Sequence, residues 1–419
     1  MKRGHLLAGG LALLAGGALA AGGVLWFSSG GGSEEASTQD LASPTPKASA
    51  SEAPTTSPSP TAPPGSVPAI RLPAVVFFRA PELSYPASIG ELWVSEVDGS
   101  NARRVSPEGA KTTFAGIASI GDGSLLYYVV FGDDGRRALR ELDLSRASDR
   151  EVLTFDGRYE SRGFASVSPD GRYVSFVEVD SLWLFNMQTQ ERTLLLQGNA
   201  PACEGGNAGK CVNYATSQWS PNGRLLLVQK GFYEGAHFVL ADPFAEQPQI
   251  AEFDQLSGAH ISGWAPGSEA FCIGGQYGAP SSLYVARGPE WSARQFFSEF
   301  EQPGQAPADL SVAGCTWPSS SRVAALTWPM GAPPDGASPT PALVLLNPNT
   351  SEAPVIASFA DGQGLVPTLV GLPGSSQAVV QFWNAYGGEA QRSLLVDLET
   401  GQAHDLLGPG QWVVAIVPQ

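Results

Sequence analysis

The chain has 419 residues, of which 43% are hydrophobic and only 15% charged, with 49 glycines and 34 prolines. So few charges and so many turn formers disfavour long surface helices and point instead to many short strands. With 24 Lys and Arg against 40 Asp and Glu, the formal net charge of −16 repels phosphate backbones and excludes a nucleic-acid-binding role.

The N-terminus reads as an export signal. Met1-Lys2-Arg3 is a positive start, and the run from Leu6 to Phe27 is apolar and uncharged. Ala18-Leu19-Ala20 offers a signal peptidase its small residues, and cleavage after Ala20 would secrete the rest. Left uncleaved, residues 1–27 are long enough for a hydrophobic transmembrane helix, with Trp26 and Phe27 at the interface. Length favours the retained signal-anchor, and in both cases the remainder is extracytoplasmic. Residues 28–68 are rich in Pro, Ser and Thr and nearly devoid of large apolar side chains. They bury too little to offset their ordering entropy, so a disordered stalk is predicted. In polyproline II form, at about 3.1 Å per residue, it would reach on the order of 100 Å from the membrane.

Residues 69–419 repeat. One marker is a tight turn between two apolar runs: Gly121-Asp122-Gly123-Ser124, Ser168-Pro169-Asp170-Gly171, Ser220-Pro221-Asn222-Gly223 and Ala265-Pro266-Gly267-Ser268, with weaker copies at Pro318 and Pro373. Pro presets the first turn position, and Asp/Asn-Gly accepts the positive φ of a strand reversal. An alternating strand follows each, as in Ser181-Leu182-Trp183-Leu184 and Ser393-Leu394-Leu395-Val396. The spacing, about 45–55 residues, is that of four-stranded propeller blades. The first blade lacks a leading strand, and the chain ends in a strand, Gln411 to Pro418, with no blade after it. Placing that strand innermost in the first blade removes both deficits. The predicted fold is therefore all-β: a seven-bladed β-propeller with the C-terminal strand closing the first blade, preceded by the N-terminal hydrophobic helix and the stalk.

Ser168-Pro169-Asp170-Gly171-Arg172-Tyr173-Val174-Ser175-Phe176, followed by Ser181-Leu182-Trp183-Leu184-Phe185-Asn186, resembles the repeat of TolB-like β-propellers. That superfamily includes the propeller domains of prolyl oligopeptidase-type enzymes. The resemblance implies the fold, but a stalk stands where TolB has an extra domain, so TolB's partners do not carry over.

Cys203 and Cys211 flank a Gly-rich excursion and are expected to form a disulfide in an oxidising compartment; zinc would need a second nearby pair or a spaced His. Cys272 falls on the second strand of one blade and Cys315 on the first of the next, as a bridge or as buried thiols. Catalytic signatures are sparse. There is no Gly-x-Ser-x-Gly elbow, no His-Glu-x-x-His and no phosphate-cradling loop. No cofactor or metal is expected, and the balance leans away from an enzyme. Among the exported His residues, His260 opens an innermost strand and faces the funnel, while His237 and His404 fall on third and outermost strands. Trp219, Trp264 and Trp317 recur at the blade period as core.

Elaboration falls between second and third strands: 80–90, 132–137, 231–235, 274–281, 329–341 and 384–391. These connections open on one rim and carry aromatics, which suits glycan or peptide contact. Tyr214, His260, Tyr277, Trp328, Trp383 and Tyr386 are the candidate ligand contacts. The function this predicts is an extracytoplasmic binding or scaffold module whose partner is an extracellular peptide, a cell-wall glycan or another protein. The alternative is a propeller lyase or hydrolase acting on polysaccharide from the funnel.

Overall fold

The computed structural model describes residues 72–84, 87–120, 123–146, 148–156, 165–199, 212–232, 235–253, 259–276, 282–297, 310–329, 340–362, 365–383 and 390–417. The hydrophobic segment 1–27, the stalk 28–68 and the Cys203–Cys211 pair lie outside them. Among the described residues no helix is long and apolar enough to cross a membrane.

Strands follow one another in groups. The first are β1 (Ala74–Ser84), β2 (Ala87–Glu96) and β3 (Arg103–Arg104), then β4 (Thr112–Ile120), β5 (Gly123–Phe131), β6 (Arg136–Asp143) and β7 (Ser148–Asp156). Next come β8 (Ala165–Val167), β9 (Tyr173–Glu178), β10 (Ser181–Asn186) and β11 (Arg192–Leu196). They are followed by β12 (Asn213–Trp219), β13 (Leu226–Phe232), β14 (Gly235–Ala241) and β15 (Gln249–Phe253). After these stand β16 (Ala259–Trp264), β17 (Ala270–Gln276), β18 (Leu283–Arg287) and β19 (Ser292–Phe296). The chain continues through β20 (Leu310–Ser319), β21 (Arg322–Pro329), β22 (Ala342–Leu346) and β23 (Val355–Ser358). It ends with β24 (Val366–Gly371), β25 (Gln377–Trp383), β26 (Ala390–Asp397), β27 (Ala403–Leu407) and β28 (Gln411–Val417).

From β8 to β27 these form five four-stranded antiparallel sheets. The remaining eight strands form one sheet, in which a single pair, Gly90↔Thr112, joins the group β28-β1-β2-β3 to β4–β7. The architecture is all-β and propeller-like. The C-terminal strand pairs with β1 as expected, from Ala74↔Val417 to Arg79↔Gln411.

Burial explains the strand order. Middle strands such as β9 and β22 are buried along almost their whole length because a neighbouring sheet covers each face, whereas β11, β15, β19 and β27 expose most of theirs. The Pro turns join first to second strands. Gly171 and Gly223 both take φ 69°, where a Cβ is strained. In these two turns Ser168 Oγ accepts the Tyr173 N–H at 2.9 Å, and Ser220 Oγ accepts the Leu225 N–H at 2.9 Å. Trp219, Trp264 and Trp317 are buried, as their period predicted.

Seams between sheets are tied by specific contacts. Ser175 Oγ meets Ser217 Oγ at 2.7 Å, and Trp219 Nε1 donates to Ser166 O at 3.0 Å. Ser268 Oγ accepts the Asn222 N–H at 3.0 Å. Cys272 and Cys315, left open by the sequence, form a buried disulfide between β17 and β20, with Cα atoms 6.3 Å apart. At the last seam β28 is the edge strand of its sheet, so the outward backbone groups of Val413, which lies opposite Phe77 beside a register shift that skips Val414, need another partner. Buried Gln381 on β25 supplies it: Nε2 donates to Val413 O at 2.7 Å, and Oε1 accepts the Val413 N–H at 2.6 Å.

One expected loop is corrected. Residues 80–90 are mostly strand, because β1 and β2 stay paired to Ser84↔Ala87 through a register shift between Arg79 and Glu82.

Candidate functional site at the rim between two sheets

Four strands of one sheet bring four functional side chains to one end and one face. Tyr214 on β12 pairs with Lys230 on β13, and Lys230 with His237 on β14. Glu252 on β15 lies opposite Val239, two residues from His237 and on the same face, within diagonal reach. Period-two alternation thus aligns residues 7 to 38 positions apart in the chain.

Glu252 is the hub. Its Oε1 accepts Lys230 Nζ at 2.7 Å and lies 2.5 Å from His237 Nε2; its Oε2 accepts Gln249 Nε2 at 2.9 Å. Burial pushes the Glu252 carboxyl up, but the hydrogen bonds from Lys230 and Gln249, the Lys230 charge and the bond to His237 outweigh it and hold it below its ordinary range. The ionised carboxylate in turn requires the proton on His237 Nε2. Tyr214 is buried, and burial together with the Glu252 charge raises its phenol, so it stays a protonated donor.

The neighbouring sheet completes the site. The β9–β10 turn places Asp180 O to accept the Tyr214 N–H at 3.1 Å. Ser181 Oγ accepts the Gly198 N–H at 3.0 Å and Gln197 Nε2 at 3.1 Å, and Asn199 N–H donates to Val212 O at 2.7 Å. A Cβ on Gly198 would run into the Asp180 carbonyl, so glycine is required for this close approach. Asn199 and Val212 are thus joined two residues from Tyr214.

This arrangement offers a fixed carboxylate and a half-buried ammonium, the hydrogen-bonding pair that a polyhydroxylated ligand satisfies. Among the described residues no three His, Cys, Asp or Glu are gathered to hold a metal.

The predicted contacts fall in different places. Tyr214 is buried, in the same core cluster as Val177, Leu182 and Leu196. Trp328 ends β21, half-buried, with its indole N–H unpartnered among the described residues. Trp383 ends β25 and meets Trp412 edge-on at 6.1 Å. His260 lies on β16, but its side chain, like Tyr277 and Tyr386, falls outside the described residues. His237 and His404 lie on third and outermost strands as expected. Lys230 and Glu252 were missed in the sequence. The available signal was their parity with His237 once the strands of the repeat are superposed.

No protein-family model matches the chain, and no curated protein matches it. Solved structures do. An oligogalacturonate lyase from Vibrio parahaemolyticus, 11% identical, aligns over 80% of this chain and 86% of its own, with TM-score 0.51. A 6-phosphogluconolactonase-like protein from Bacteroides uniformis, 13% identical, aligns over 82% and 98%, with TM-score 0.51. A prolyl endopeptidase, 11% identical, aligns over 81% of this chain and half of its own, with TM-score 0.50. At such identities the likeness shows the fold alone. The leaning away from an enzyme is nevertheless overturned: several solved structures on this scaffold are enzymes, so lacking hydrolase and zincin motifs does not argue against catalysis. The fold of this chain is the β-propeller-like fold of these solved structures.

Proposed function

We propose that the chain is a membrane-tethered, extracytoplasmic propeller of seven blades that binds a cell-wall glycan at the rim between the β8–β11 and β12–β15 sheets. The blade number is supported by five four-stranded sheets and by an eight-stranded sheet held together at one residue pair. Export is supported by the buried Cys272–Cys315 disulfide, a bond that reducing cytosol disfavours.

The observation that carries the ligand reading is the Lys230–Glu252–His237 cluster. Its charges compensate one another, as suits a neutral, hydroxyl-rich ligand better than an ion.

A thermal-shift panel of chitotriose, cellotriose and short peptides tests the reading. Glycans should raise the unfolding midpoint in proportion to the logarithm of concentration, and Lys230→Met should abolish the rise. A shift with peptides alone would sink it. A second reading, a lyase or hydrolase on polysaccharide, is supported by the fold shared with oligogalacturonate lyase. Incubation with polygalacturonate tests it through new unsaturated or reducing ends.

A further inference from the structure

The β9–β10 turn beside the cluster breaks a backbone rule. Val179 and Asp180 take φ 48° and 63°, the paired left-handed conformation of a two-residue hairpin turn. Asn-Gly is the favoured pair there, because a Cβ is strained at positive φ and a β-branched one most of all. Among the described non-glycine residues with positive φ, Val179 is the one that is β-branched. Its side chain gains nothing from packing, since the residue is 59% exposed, the most of any large hydrophobic described.

A residue that costs stability in the fold and is not recovered by burial points to a role outside the fold. Its position gives that role. The next residue's carbonyl accepts the Tyr214 backbone N–H, and Tyr214 lies opposite Lys230, which lies opposite His237, so the turn that carries Val179 neighbours the polar cluster.

We propose that Val179 is an apolar ligand contact, which selects a glycan bearing an N-acetyl group over one bearing hydroxyls alone. This rests on the glycan reading above. The ammonium and carboxylate of Lys230 and Glu252 take sugar hydroxyls, and the acetamido methyl covers the exposed isopropyl group. That contact removes apolar surface from water on both partners, which a hydroxyl in the same place would not do.

The test compares chitotriose with cellotriose by titration calorimetry on the full chain, with Val179→Asn and Val179→Thr. Asparagine tolerates the left-handed conformation, and threonine keeps the branch and volume while replacing one methyl by a hydroxyl. Wild type should prefer chitotriose. Val179→Asn should weaken chitotriose about tenfold, leave cellotriose unchanged and raise the unfolding midpoint by about 1 °C. Val179→Thr should lose the preference without that gain.

Equal binding of both sugars by wild type and Val179→Asn would overturn the contact while leaving the glycan reading standing. Failure of both sugars to bind wild type would overturn the two together. A weakened chitotriose affinity matched by an equal loss for cellotriose would assign Val179 a structural role instead.

Discussion

Gln381→Met is the substitution that most sharply probes how the chain holds its last strand. Methionine fills nearly the same volume and keeps the unbranched shape, so packing changes little. What disappears is a two-point clasp: Nε2 to Val413 O at 2.7 Å and Val413 N–H to Oε1 at 2.6 Å. Val413 and Gln381 are both fully buried, so water cannot replace either bond. Each orphaned backbone group costs about 1–3 kcal/mol, which predicts a loss of about 2–6 kcal/mol. Against a typical folding free energy of about 5–15 kcal/mol, that is a large fraction. The assay is the guanidinium midpoint of the full chain, paired with amide exchange. Exchange should accelerate along β28 and β1 and stay unchanged along β16 to β19, which lie in a separate sheet. A shift equivalent to less than about 0.5 kcal/mol, with β28 still protected, would refute the clasp.

Further outcomes follow from the same structure. Lys230→Met should cost about 1 kcal/mol at neutral pH, less than a fully buried pair because both side chains are partly exposed. The folded-state Glu252 carboxyl lies below its ordinary value of 4.5, so the stability it contributes is present above that pH and lost below it. The gap between wild type and Lys230→Met in thermal midpoint should therefore close on acidification. Tyr127 donates to Glu141 at 2.8 Å and Tyr128 to Asp149 at 2.8 Å, and burial with these carboxylates raises both phenols well above their ordinary value of 10.0. The stability these raised phenols contribute is present below that pH and is lost as pH rises above it. Alkaline titration should leave Tyr127 and Tyr128 un-ionised until the protein unfolds, and Tyr127→Phe or Tyr128→Phe should each remove one phenol from the late-titrating set. Replacing Cys272 and Cys315 together by Ala opens a loop of 43 residues and should cost about 4 kcal/mol in the chain-entropy account, read as a lowered denaturant midpoint. In the native protein the bond should resist reductant until unfolding, as alkylation and mass measurement would show.

Much of the fold was legible because its cause is local. A strand buried on alternate or both faces writes itself as a period-two or continuous apolar run, and Ser-Pro-Asp-Gly encodes its own positive φ. The C-terminal strand was placed correctly because an unmatched first strand and an unmatched last strand leave one economical pairing. Loop 80–90 was misjudged because Pro81 and Glu82 read as loop chemistry, whereas β1, which pairs with β2 through a register shift, carries them as strand. The site was less legible. Lys230, His237 and Glu252 look like isolated solvated charges until strand register sets them side by side. Tyr214 was singled out as a rim aromatic; it is buried, and its charged neighbours Lys230 and Glu252 are partly exposed. Val179 carries no sequence signal, because its strain exists only once the turn geometry is known.

Amide exchange of the full chain, measured with and without saturating chitotriose, locates the binding surface directly. The account predicts protection confined to 178–182, 197–199, 212–214 and 230–237, the backbone around the Lys230–Glu252–His237 cluster. Protection centred on Trp328, Trp383 and Trp412 instead, or no protection anywhere, would contradict it.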